Sequence, residues 1–329
     1  MDGNLMLHLA NPRACSLFGL ENFRGTSLLE VTRSTELEQA ARRVLDEGRP
    51  LEKELNLCAG RFLVYTAPLS VQEYKKQGLV MVMEDITRLA RLEQVRKDFV
   101  ANVSHELRTP IQLIKGFSET LLDPSSDWAA PETHGQLRRC VEIIRKNAGT
   151  MENLTNDLLI LASLENRDTG LTDMEEQNLA PLFAEAVSSV EPQVKMRKTT
   201  VIVNCPADLK ARVNGAFIIQ ALINLLDNGI KYSPKKSRVW ASAYRENGNV
   251  VLEVKDEGSG IPPEHLGRLF ERFYRVDRAH SRETGGTGLG LAIVRHIALL
   301  HNGTAEVESH AGEGSVFRVR LREQISTNK

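Results

Sequence analysis

"NLLDNGIKYS", Asn224 to Ser233, sets two asparagines four residues apart inside an otherwise apolar run. On a helix both amides of Asn224 and Asn228 face the same way, with Lys231 on nearly the same side one turn further on. Asn224 is flanked by Leu222, Ile223, Leu225 and Leu226, and an idle amide there is costly, so a partner for it is expected. Two amide oxygens and a lysine suit Mg2+ with phosphate, because Mg2+ takes few protein oxygens and completes its shell with water and phosphate. Read alone, the pair also fits a surface or cap feature.

Two glycine clusters follow. "DEGSGI" (Asp256 to Ile261) closes a strand-like run with two glycines, and "GGTGLGLAI" (Gly285 to Ile293) puts four glycines just before an apolar helix. Glycine lets backbone approach a ligand closely, and N–H groups at a helix start form an anion site. Neither cluster has the P-loop spacing or the dinucleotide fingerprint after a first strand. In isolation "GTGLG" reads equally well as a tight turn.

Around these motifs the chain of 329 residues is long enough for two or three domains. Its 42 lysines and arginines nearly balance 43 aspartates and glutamates, so no nucleic acid or anionic membrane is expected as the main partner. Cys15, Cys58, Cys140 and Cys205 are far apart with no C-x-x-C pair, and read as reduced thiols rather than a zinc site. No run approaches the roughly 18 apolar residues that span a bilayer, and the first residues lack the basic start and apolar core of a signal peptide, so none is expected there.

Residues 1–87 mix β-like runs ("NLMLHLAN", "CSLFGL", "RFLVYTAPLS", "GLVMVMED") with a helical "STELEQAARRVLDEG", a small α+β module. From Ile86 the period changes. Leu92, Val95, Phe99, Val103, Leu107, Ile111, Ile114, Phe117 and Leu121 form one stripe at helical spacing. After "DPSSDWAAPE" a second stripe runs from Leu137 through Val141, Ile144, Ala148, Met151, Leu154, Leu158 and Leu161 to Leu164. Two such helices make an antiparallel hairpin that cannot bury both stripes alone, whereas a dimeric four-helix bundle can. Residues 168–329 return to mixed helix and strand, a second α+β domain of a size suited to a nucleotide pocket.

In the first helix stands "FVANVSHELRTP". Taken in order, this stretch, Asn224/Asn228/Lys231/Tyr232, Asp256-x-Gly258-x-Gly260, "FERFYRVD" and "GGTGLGLAI" resemble the phosphoacceptor, N, G1, F and G2 boxes of two-component sensor histidine kinases, over residues 85 to 322. The run from Val95 to Asp123 is most similar to the phosphate-regulon sensor subgroup. With "ANPRACSLFGL" and "MEDIT", residues 1–87 resemble a PAS domain lacking its first strand, so ligand binding there is not expected; His8 reads as a strand histidine rather than a haem ligand.

The resemblance implies a multidomain α+β protein: a partial PAS-like sensor module (1–87), a two-helix hairpin forming a dimeric four-helix bundle (88–167), and an α/β sandwich ATP-binding domain of the GHKL type (168–329). It implies ATP and Mg2+ as cofactors, a homodimer, the receiver domain of a separate response regulator as partner, and a cytoplasmic location, with membrane contact only through segments upstream. Asp256 would accept the adenine amino group, and Asn228, helped by Asn224, would hold Mg2+. Lys231, Tyr232 and Arg275 would surround the nucleotide; Gly258 and Gly260 belong to the same pocket, while Gly286, Gly288, Leu289 and Gly290 would shape the lid and its phosphate contact. Phe270 to Gly285 would be the mobile lid, with Arg278 and Arg282 as solvated charges.

His105 would be the phosphoacceptor, since one unprotonated ring nitrogen can attack a γ-phosphoryl group in line. Glu106 would orient it and take its proton. The remaining histidines (His134, His265, His280, His296, His301, His310) read as surface residues. Thr109, one turn on, would place a water against a partner's phosphoaspartate, a phosphatase role, and otherwise is a helix-surface threonine. Pro110 removes the N–H that would pair with the Glu106 carbonyl, at a cost of roughly 3 kcal/mol in a helix interior, and reads as a signalling hinge. Gly229 stands where the family has alanine, a loss of helix propensity.

Two other readings compete. An ATPase of the gyrase, Hsp90 or MutL type needs a glutamate four residues before the Mg2+ asparagine, where this chain has Asn224. A non-catalytic ATP-binding dimeric scaffold fits poorly with an intact His105, Glu106, Asn228 and Asp256.

Overall fold

The computed structural model describes residues 1–20, 23–57, 60–71, 76–123, 128, 133–165, 174–276 and 286–322. It divides into two compact units, Met1–Ala101 and Asn102–Lys329, and each is taken by itself.

The first unit begins with three helices, α1 (Pro12–Phe18), α2 (Leu28–Thr32) and α3 (Thr35–Glu47), followed by strands β1 (Leu51–Leu57), β2 (Gly60–Val71) and β3 (Lys76–Asp85). The strands form one antiparallel sheet in the order β1-β2-β3. Phe62 and Val64 on its inner face pack with Leu37, Ala41 and Val44 of α3 and with Leu5, Leu28 and Leu79. Two β-like expectations fail here. "CSLFGL" is largely helical, because the Asn11 side chain caps the Ala14 N–H, Pro12 opens the helix and Gly19 closes it in the left-handed conformation. "NLMLHLAN" makes one isolated bridge, Met6 with Ser27, rather than a strand, and His8 is an exposed side chain paired at 2.9 Å with Asp2.

Helix α4 (Thr87–Leu121) runs unbroken through Pro110, and α5 (His134–Glu165) follows. Leu154, Leu161 and Leu164 of α5 are buried, yet Ile111 of α4 is 47% exposed and Val141 of α5 49% exposed. The hairpin therefore covers only part of its own apolar surface.

Beyond it lie β4 (Glu175–Asn178), α6 (Leu179–Ser189), α7 (Glu191–Arg197), β5 (Thr200–Asn204), β6 (Lys210–Val213), α8 (Gly215–Tyr232), β7 (Arg238–Glu246), β8 (Asn249–Asp256), α9 (Pro263–Leu266), α10 (Gly290–Leu300), β9 (Thr304–His310) and β10 (Gly314–Arg322). Five strands form a mixed sheet in the order β5-β7-β8-β10-β9, with β5 parallel to β7 and the other pairs antiparallel. One face is apolar. Val239, Ala241, Val250, Leu252 and Val319 are buried there, as are Ile218, Leu222, Leu225 and Leu226 of α8 and Ile293 and Ile297 of α10. The other face carries a charge ladder: Arg318 pairs with Glu253 and Glu308, and Arg320 with Glu246 and Glu306. A small antiparallel pair, β4 with β6, completes the domain.

His301 departs from its reading as a surface residue. It is 5% exposed; its Nδ1 lies 2.7 Å from the Ile297 carbonyl, and its Nε2 accepts the Asn214 N–H at 3.1 Å. Asn214 is the N-cap of α8, so a neutral histidine fixes the start of the helix that carries the two asparagines. Burial pushes its pKa below the ordinary value.

Candidate nucleotide and phosphoacceptor site

The apolar stripe of α8 faces the sheet, which leaves its polar residues along one flank. Asn224 donates to the Gly290 carbonyl at 3.2 Å and accepts from Gln220 at 3.3 Å. The amide expected to need a partner thus holds the first residue of α10 against α8. Asn228 has no side-chain hydrogen bond among the described residues. Lys231 turns back to Asp227 at 2.5 Å, and Tyr232 is 44% exposed.

Asp256 ends β8 and is 5% exposed. Its Oδ1 accepts the N–H of Gly258 at 2.7 Å and of Ser315 at 3.2 Å. Burial raises its pKa above the ordinary carboxylate value, and those two N–H groups oppose the rise. The neighbouring glycines are sterically required. A Cβ on Gly258 would lie 2.6 Å from Asp256 Oδ1, and one on Gly260 would overlap the His310 carbonyl at a residue whose φ is +67°. Gly229 has more than a propensity cost: a Cβ there would stand 3.2 Å from Val239 Cγ1 and 3.5 Å from Asp256 Cβ. Helix α8 therefore packs close to β7 and the end of β8 at this residue.

The second glycine loop is tied to the phenylalanine-rich segment. The Phe273 N–H donates to the Gly288 carbonyl at 2.8 Å, and a Cβ on Gly288 (φ +72°) would lie 2.9 Å from Phe273 Cα. Leu289 is fully buried and donates its N–H to the Thr287 hydroxyl at 3.2 Å. It serves as an apolar anchor at the start of α10. Gly286 borders Arg275, whose Nη2 would be 3.5 Å from an added Cβ. Residues 277–285, including Arg278, His280, Arg282 and most of the expected lid, lie outside the described residues, as does Cys58.

The hairpin meets this loop at Glu106 and at Asp157. Arg275 pairs with Glu106 at 3.6 Å, and Thr287 donates to Asp157 of α5 at 2.6 Å. Burial raises the Asp157 pKa, against the pull of the Thr287 bond and of Lys231. Sequence reading missed Asp157, although Thr287 lay inside a quoted motif. His105 and Thr109 are exposed on α4, Pro110 is buried, and the Thr109 hydroxyl sits 3.5 Å from the His105 carbonyl. Glu106 therefore stands between the exposed histidine and an arginine of the glycine-loop region.

Comparison with known proteins identifies the family. Residues 214–325 match the family of histidine kinase-, DNA gyrase B- and HSP90-like ATPases, and residues 95–167 match the His Kinase A phospho-acceptor domain. The chain is 33% identical over 302 residues to the sensor-like histidine kinase SenX3 of Mycolicibacterium smegmatis, spanning 87% of this chain and 74% of that one. It is 38% identical over 244 residues to the phosphate regulon sensor protein PhoR of Pseudomonas aeruginosa, spanning 74% of this chain and 54% of that relative's length. The crystal structure of histidine kinase ThkA in complex with response regulator protein TrrA shares the fold, with a TM-score of 0.54 at 23% identity over 97% of this chain and 93% of the other. The chain belongs to the sensor histidine kinases. Its ATPase-family domain supports use of ATP.

Proposed function

We propose that this chain is the kinase portion of a two-component sensor that phosphorylates His105 from ATP and passes the phosphoryl group to an aspartate on the receiver domain of a response regulator. The observation that carries the reading is the Arg275–Glu106 ion pair, which links the acceptor's neighbour to the glycine-loop region in one unit. Adenine would bind at Asp256, whose Oδ2 has no donor among the described residues. Arg275, Lys231 and the N–H groups of Gly286, Gly288 and Gly290 would hold phosphate, with Tyr232 over the nucleotide. Asn228, with its amide free, and Asn224 would hold Mg2+, which would neutralise phosphate charge.

His105 would attack the γ-phosphorus through a neutral ring nitrogen as the bond to the β-phosphate oxygen breaks, and Glu106 would accept the proton from the other nitrogen. Arg275 must exchange Glu106 for phosphate before that transfer. Thr109 would serve the reverse, phosphatase activity by positioning water against the partner's phosphoaspartate.

Exposed Ile111 and Val141 support a homodimer in which two hairpins complete a four-helix bundle. The domain limits proposed are 1–87 for a PAS-like sensor module, 88–167 for the hairpin and 168–329 for ATP binding. No helix among the described residues is long and apolar enough to cross a membrane; a cytoplasmic position in an inner-membrane sensor is proposed.

The test is incubation with Mg2+ and γ-labelled ATP beside His105→Gln. Acid-labile, base-stable label on the parent alone is expected. Absence of label despite ATP binding rejects the kinase reading in favour of a scaffold.

A further inference from the structure

Thr287 and Arg275 border the second glycine loop, and each is held by a carboxylate of the hairpin within the same compact unit. The Thr287 hydroxyl accepts the Leu289 N–H at 3.2 Å and gives its only proton to Oδ2 of Asp157 at 2.6 Å. That length belongs to a hydroxyl donating to a charged oxygen. Asp157 is partly buried on α5, which packs against α10. The Lys231 ammonium on α8 attracts the same carboxylate, and Asp227, the ion-pair partner of Lys231, repels it. Arg275, with a side chain only 9% exposed, is paired with Glu106.

An ammonium, a guanidinium and a hydroxyl proton are the donors that hold phosphoryl oxygens. A carboxylate resembles a phosphoryl group in the sign of its charge and in offering acceptor oxygens alone, so the two compete for one set of donors. An anion left beside a bound polyphosphate would also add like-charge repulsion. We propose that Asp157 is an intramolecular stand-in for a nucleotide phosphate: in the ligand-free chain it occupies Thr287 within the field of Lys231, and Mg-ATP binds by displacing it. Glu106 on Arg275 is a second occupant of the same kind. The inference rests on the reading of this loop as the phosphate site. It makes the hairpin a competitive inhibitor carried on the chain itself, so the apparent affinity for ATP is scaled by the fraction of molecules in which the Asp157 bond is open. A movement of α5 that draws Asp157 off Thr287 would raise that affinity.

The experiment measures equilibrium binding of Mg-ATP and of adenosine to the full chain and its variants by calorimetry. Asp157→Asn keeps the shape and drops the charge, and is expected to tighten Mg-ATP by about threefold to tenfold. Asp157→Ala removes the acceptor as well and should gain at least as much. Asp157→Asn/Glu106→Gln should bind Mg-ATP more tightly than Asp157→Asn alone. Adenosine has no phosphate, and its binding should stay within about twofold in every variant. Mg-ATP binding that is unchanged or weaker in Asp157→Asn overturns the proposal and leaves Asp157 a structural contact. An equal gain for adenosine also overturns it, because the loop would then be opening for any ligand. Should Asp157→Ala not fold, the isosteric Asp157→Asn carries the test. A parent chain that binds no Mg-ATP removes the phosphate reading itself, and this inference with it.

Discussion

The helical hairpin and the sheet domain solve the same problem in opposite ways. Leu222 and Leu226 on the stripe of α8 are fully buried, while Ile111 and Val141, on hairpin stripes of the same kind, remain about half exposed. Amphipathic spacing produces a helix in both places, but only α8 meets a sheet that matches its width. One region covers its apolar stripe with its own chain; the other leaves part of its stripe exposed. The homodimer proposed above would cover that remainder.

Substitutions on the two stripes should separate these solutions. The largest effect is expected for Leu222→Ala, which opens a cavity in a closed core and should cost about 2–5 kcal/mol. The urea midpoint should fall by an amount independent of protein concentration. Ile111→Asp should leave that midpoint and ATP binding alone, yet weaken self-association by at least about tenfold, or roughly 1.4 kcal/mol. Light scattering across a dilution series reads it directly. An unchanged dimer would erase the contrast.

Two smaller effects sharpen the picture within the sheet domain. Burial raises the Asp256 pKa above its reference of 3.8, so the folded state holds the proton longer. The associated stability is full below that pH and is lost as pH rises through the folded value. Asp256→Asn should therefore stabilise the ligand-free protein by about 1 kcal/mol at pH 7 while abolishing selective ATP binding. A lowered midpoint at neutral pH would contradict this. The smallest effect concerns His301, whose pKa burial lowers from 6.5. Its contribution is fully present above pH 6.5 and declines as acid protonates the unfolded chain first. Midpoints measured between pH 7.5 and 5.5 should drop by a few tenths of a kcal/mol, and His301→Gln should flatten that slope.

Long periodic segments were the legible part of the fold. Stripes in α4, α5 and α8 repeat often enough to declare a helix, and β7 and β8 alternate or run apolar between turns. Short elements were not. "CSLFGL" resembles a strand until the cap at Asn11 and the glycine at its end are weighed. "EEQN" of β4 and "KARV" of β6 carry almost no apolar pattern, and they become strands only by pairing with each other.

The site divides along the same line. Asn224, Asp256 and the glycines announce themselves because their spacing and conformational demands are local. Ser315 reaches Asp256 across 59 positions and Thr287 reaches Asp157 across 130, so their contribution exists only after folding. Gly229 was read from its own helix alone, and the approach of Val239 and Asp256 to it exists only after folding.

The charge ladder on the open face of the sheet bears on how the strands find their alignment. A slip of β10 by two residues would keep Phe317, Val319 and Leu321 on the buried face, so burial alone does not forbid it. In the native register Arg318 stands opposite Glu253. Shifted one way it would meet Lys255, and shifted the other way Val251. The uncovered face thus acts as a proofreading code for strand alignment, written in the residues that contribute least to the core.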